Sequence, residues 1–113
     1  MLTIEKLEQY GANTAEGLTR CAGMEAFYIK LVNMSLNEGN FDKLETAIKN
    51  NDLDTAFEAA HALKGVLGNL SLTPMFDICS EMTELLRDRT EMDYTPMLNE
   101  LLTKKAELIA LSE

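Results

Sequence analysis

The sequence has no tryptophan, a single histidine, two prolines and two cysteines, and each shortage excludes something. One histidine with two distant cysteines, Cys21 and Cys79, and no CxxC pair cannot supply a zinc site. The thiols read instead as buried and reduced, which points to a cytoplasmic protein. A β-sandwich would need more β-branched residues and more turn signals. Basic residues are outnumbered, with 10 Lys and Arg against 19 Asp and Glu and a formal net charge of -9. A phosphate backbone or an anionic membrane surface would be repelled, so neither nucleic acid nor membrane is an expected partner. No apolar run approaches the ~20 residues of a membrane span. The opening "MLTIEKLEQYG" lacks the basic and long apolar regions of a signal peptide. No GxxxxGK[ST] or other Gly-rich nucleotide loop is present, so nothing in the chain is built to take a phosphoryl group from ATP.

What is there favours helix: Leu, Ala, Glu and Met dominate. A length of 113 residues fits one domain, residues 1–113, with a real apolar core. Residues 3–10 read as a short helix capped by Thr3 and stopped by Gly11, and residues 13–22 as a second one ended near Gly23. Over residues 24–50, Phe27, Met34, Phe41 and Ile48 recur every seven residues, and Leu31 and Leu44 widen the stripe. The stripe keeps phase across Gly39-Asn40, which predicts one long bent helix there rather than two. The turn "NNDLD" then starts a helix at about 52–70, capped by Asp52 or Asn51. Thr73-Pro74 and Thr95-Pro96 each set a cap residue before a proline at the first helical position, which predicts helices at about 74–89 and 96–112. The first carries Met75, Ile78, Cys79, Met82, Leu85 and Leu86 on one face. The second carries Met97, Leu98, Leu101, Leu102, Leu108 and Ile109. Together these elements predict an all-α protein, an antiparallel up-down four-helix bundle with a short N-terminal helical extension.

The informative stretch is "AHALKGVLGNL", residues 60–70. On a wheel turning about 100° per residue, Ala56, Ala59, Leu63, Val66 and Leu70 oppose His61 and form the core face, flanked by Ala60 and Leu67. Asp54, Glu58, His61, Lys64, Gly65 and Gly68 share the outward face. A helix-interior glycine costs about 1 kcal/mol relative to alanine, so this pair costs roughly 2 kcal/mol. A packing glycine belongs on a core face, and these lie on the other one. They are expected to clear space so that another surface can approach the imidazole.

Lys64 follows His61 by three residues, so its ammonium reaches the same region. A neutral imidazole is a nucleophile, and a neighbouring cation suits an anionic adduct. The adduct natural to both is a phosphoryl group. The bland alternatives are an idle surface histidine and a lysine that merely pairs with Glu58 or Asp54, a contact of little energy. No second histidine or placed acid completes a triad or a metal site. An activated phosphoryl donor must therefore be another protein.

The run His61-Ala62-Leu63-Lys64-Gly65, followed by a small-residue stretch, resembles the signature of histidine phosphotransfer (Hpt) domains. Upstream, "EGLTRCAGMEAFYIKLVNMSL" (16–36) resembles that family's lead-in to its first bundle helix, and Cys79 stands where many members have a cysteine. The resemblance implies an up-down bundle and a phosphorelay intermediate without kinase activity of its own. His61 would accept a phosphoryl group, through Nε2, from the aspartyl phosphate of one response-regulator receiver domain and pass it to another. Lys64 would orient and neutralise the group. Gly65, Gly68, Phe57 and Glu58 would form the receiver-docking surface. Mg²⁺ would sit in the receiver, so no cofactor or metal is expected in this chain. Receiver domains are the implied partners, with a hybrid histidine kinase as a further one, and the domain is expected to be a monomer.

Departures are visible too. Ser71 replaces a common glycine, and Val66 and Leu67 replace smaller residues, which reads as repacking toward the core. Where some members bring a glutamine toward the histidine from the following helix, this chain has Thr83, with Arg87 one turn on, as possible secondary site residues. Three alternatives stay open: a receiver-docking module without transfer, the dimerisation and phosphoacceptor segment of a histidine kinase, and the phosphoacceptor domain of a chemotaxis-type kinase. The kinase segment would carry a proline soon after the histidine, whereas here none follows before Pro74.

Overall fold

The computed structural model describes residues 1–113 and contains seven α-helices and no strand. They are α1 (Ile4–Tyr10), α2 (Thr14–Arg20), α3 (Glu25–Ser35), α4 (Asn40–Lys49), α5 (Leu53–Asn69), α6 (Thr73–Arg87) and α7 (Thr95–Ser112). No helix is long and apolar enough to cross a membrane.

Local chemistry explains most of the boundaries. The Thr3 hydroxyl accepts from the Lys6 amide, and Gly11 ends α1 at φ 109°, a left-handed conformation suited to glycine. Asn13 caps α2 by accepting from the Glu16 amide at 3.2 Å. Asp52 caps α5 by accepting from the Thr55 amide at 3.1 Å, and hydrogen bonding from Thr55, its side chain first and then its amide, holds the Asp52 carboxyl below the usual carboxylate range. Two starts differ from expectation. The capping positions of α6 and α7 are Leu72 and Tyr94, and neither makes a side-chain cap bond. Thr73 and Thr95 lie inside their helices: the Thr73 hydroxyl donates to the Ser71 carbonyl, and the Thr95 amide donates to Asp93. The prolines still fall in the first turn, where a missing N–H leaves no bond unmade.

The single long helix over 24–50 is not formed. At residues 36–38 the amides of Leu36, Asn37 and Glu38 bond three residues back instead of four. The Glu38 carboxylate then accepts from the Asn40 side chain, and α4 begins afresh. This break resets the helical phase. On α3, Tyr28, Val32 and Ser35 face the core, while Phe27 and Met34 of the expected stripe are exposed. On α4 the expected Phe41 and Leu44 are buried.

The core gathers around α5, which packs against both α4 and α6; α6 in turn meets α7, and α1 lies against α7. Ala56, Ala59 and Ala60 are fully buried, and their small size lets neighbouring helices approach from both sides. Leu63 and Leu67 complete that face and share one buried core with Met75, Met82 and Leu86 of α6 and Leu101 and Leu108 of α7. Cys21 and Cys79 are buried, unpaired thiols. Burial pushes the Cys79 thiol up to about 12, so it stays protonated and unreactive at neutral pH.

Candidate functional site

Because α5 buries its alanine and leucine face, His61 on the opposite face points away from that core. His61, Ala62 and Gly65 are exposed there, and Lys64 is half-buried. Neither ring nitrogen of His61 bonds to another protein group, so no carboxylate orients it as a triad would require. The two carboxylates weighed as partners of Lys64 pair with other cations. Asp54 pairs with Arg89 at 2.6 Å, and Glu58 pairs with Lys43 at 3.5 Å. Lys64 makes no ion pair, and its ammonium remains free for an incoming anion.

A hollow of about 540 Å³ opens beside His61. Lys64, Gly65 and Gly68 form one wall, Phe76 and Asp77 of α6 another, and Glu16 and Arg20 of α2 close the far end. The two glycines differ. A methyl group built at Gly65 would meet nothing within 4 Å, so the surface is open as expected. One built at Gly68 would lie 2.9 Å from the Phe76 ring. Gly68 is thus a packing glycine that admits an aromatic ring from α6, which corrects its reading as cleared outer surface.

The far end of the hollow is tied to the α5–α6 corner. Ser71 adopts φ 55°, the left-handed region that favours glycine, and its hydroxyl donates to Glu16 at 3.2 Å. Arg20 donates to the same Glu16 oxygen at 3.0 Å and to Asn69 at 3.2 Å. The Asn13 amide donates to the Ser71 carbonyl at 2.9 Å.

Other expected site residues lie apart from the hollow. Phe57 is half-buried one turn before His61, with ring centroids 5.6 Å apart. Arg87 lies over the Phe57 ring at 5.2 Å and pairs with Glu84, so it points at Phe57 rather than into the hollow. Thr83 is fully buried, and its hydroxyl donates to the Cys79 carbonyl at 2.6 Å. It therefore does not complete the site. Sequence reasoning missed Arg20, Asp77 and Arg89. The first two reach the hollow only because α2 and α6 fold beside α5. Arg89 lies in a polar link whose path no periodicity fixes. No three His, Cys, Asp or Glu side chains gather where they could hold a metal ion.

The sequence profile described as the Hpt domain matches residues 34–111, well over half of the chain. Nothing among curated proteins or solved structures matches significantly. The chain belongs to the Hpt domain family, whose members are phosphocarriers that work with receiver domains in two-component phosphorelays. The match begins at residue 34, so the likeness of segment 16–36 to the family's lead-in falls almost wholly outside it.

Proposed function

We propose that this domain is a phosphorelay intermediate in which His61 carries the phosphoryl group between two receiver domains. The observation that carries this reading is an exposed imidazole with both nitrogens unengaged, beside an unpaired lysine and the open backbone of Gly65. The Nε2 lone pair of the neutral ring attacks the phosphorus of a receiver's aspartyl phosphate. An N–P bond forms as the acyl P–O bond breaks, and that electron pair leaves with the receiver's carboxylate. The proton stays on Nδ1. Attack by a second receiver's aspartate on the same phosphorus reverses these steps and restores the neutral imidazole. Lys64 offsets charge on the phosphoryl oxygens. Mg²⁺ belongs to the receiver. Gly65 and the exposed Glu58 form part of the docking face. The helices α4 to α7 are read as the antiparallel up-down bundle that presents this face, supported by their short links at 50–52, 70–72 and 88–94.

The test is labelling by a phosphorylated receiver. The parent domain takes acid-labile, base-stable label and His61→Gln takes none. Equal labelling of the variant would refute the assignment.

A further inference from the structure

We propose that Phe57 is a positioning residue for the His61 imidazole, itself held by a pair of arginines from the end of α6. This rests on the phosphoacceptor reading of His61. Helical side chains lean toward the N-terminus, so His61 leans over the turn that carries Phe57, four residues earlier. Their rings meet at 5.6 Å with planes tilted by 51°, a favourable aromatic geometry. Since neither His61 nitrogen makes a hydrogen bond, a ring–ring contact is what limits the imidazole's torsions. It does so without occupying a nitrogen that the reaction needs.

Phe57 is fixed in turn. Arg87 and Arg89 place their guanidinium groups 5.2 Å and 5.1 Å from its ring centroid, within cation–π range. Arg89 is anchored by three bonds, to Asp54 at 2.6 Å, to the Leu86 carbonyl at 2.6 Å and to the Arg87 carbonyl at 3.3 Å. It holds φ 52°, a left-handed backbone rarely adopted without such support. Arg87 is tethered by Glu84 at 3.5 Å. Asp54, Arg89, Phe57 and His61 thus form a continuous chain of contacts. The side of His61 toward Phe57 is filled, and the side toward Gly65 is empty. The imidazole is braced from behind and open in front, the arrangement in which orientation lowers a transfer barrier.

The test compares Phe57→Leu, which keeps apolar bulk, with Phe57→Trp, which keeps an aromatic face. Single-turnover transfer from a phosphorylated receiver and NMR rotamer couplings of His61 are the readouts. Phe57→Leu is expected to lower the saturating transfer rate about tenfold, with the half-saturating receiver concentration little changed. His61 averages over rotamers in that variant. Phe57→Trp stays near the parent on both measures. A parent saturating rate in Phe57→Leu, or a weakened half-saturation alone, would make Phe57 a docking contact or a bystander and overturn the proposal. Unchanged His61 couplings overturn it whatever the labelling shows. Failure of the parent to accept label sinks the phosphoacceptor reading instead.

Discussion

Gly65 offers a substitution in which stability and function should move in opposite directions. It lies inside α5, where alanine is favoured over glycine by about 1 kcal/mol. Its added methyl meets nothing within 4 Å, so no packing penalty offsets that gain. Gly65→Ala should therefore be more stable by about 1 kcal/mol, a rise in Tm of roughly 4 °C for a domain of this size. Gly65→Gln keeps most of the helix gain and adds a long side chain to the open surface. If a receiver docks there, transfer at subsaturating receiver should slow at least about tenfold, equivalent to about 1.4 kcal/mol of docking free energy. Gly68→Ala is the control. It gains the same propensity, but its methyl would lie 2.9 Å from Phe76, and such overpacking costs about 1–3 kcal/mol. Its stability should be at or below the parent's. Thermal melts followed by circular dichroism, with stopped-time phosphotransfer from one receiver, measure both quantities. A Gly65→Gln variant that is stable and transfers at the parent rate would refute the docking role of this surface. A destabilised Gly65→Ala would refute the open-space argument.

Further outcomes are expected at Ser71 and at the buried Tyr28 and Cys79. Ser71 combines a strained φ with a hydroxyl bond to Glu16. Ser71→Gly relieves the strain while losing the bond, so the two changes nearly cancel. Ser71→Ala loses the bond and keeps the strain, and urea melts should place it about 1 kcal/mol below the parent. At alkaline pH, burial pushes Tyr28 up to about 12 from 10.0 and Cys79 up to about 12 from 9.0. Both are neutral when folded and titrate earlier when unfolded. Stability should therefore be full below about pH 9 and fall as pH climbs toward 12. Tyr28→Phe should lose about 1 kcal/mol at neutral pH, because the Leu70 carbonyl loses a donor now at 2.7 Å. It should also show a shallower decline between pH 10 and 12. Equal slopes in parent and variant would contradict the Tyr28 assignment.

The sequence made the outward direction of His61 legible because a helix's periodicity is local. Burying Ala56, Ala59, Leu63 and Leu67 points His61, on the opposite side of the helix, away from that core. The caps at Thr3 and Asp52 were legible for the same reason, since donor and acceptor lie three residues apart. The stripe over 24–50 misled because it assumed continuity. Three backward turns at 36–38 shift the phase, and the buried residues of α3 become Tyr28 and Val32 rather than Phe27 and Met34.

Other features depend on what a neighbouring helix brings. Gly65 and Gly68 share a face and look alike in sequence, yet one opens to solvent and the other receives Phe76. Lys64 could have paired with Asp54 or Glu58. It makes no ion pair, and those carboxylates pair with Arg89 and Lys43, distant in sequence. Thr83 stands where some family members bring a glutamine toward the histidine, but it turns inward to the Cys79 carbonyl. The sequence alone determined an acidic helical domain with one outward histidine beside a lysine, because composition and helical period act within a few residues. Tertiary packing decided which glycine is open and what fixes Phe57 behind the imidazole, because those answers depend on side chains from outside α5, Phe76 in one case and Arg87 and Arg89 in the other.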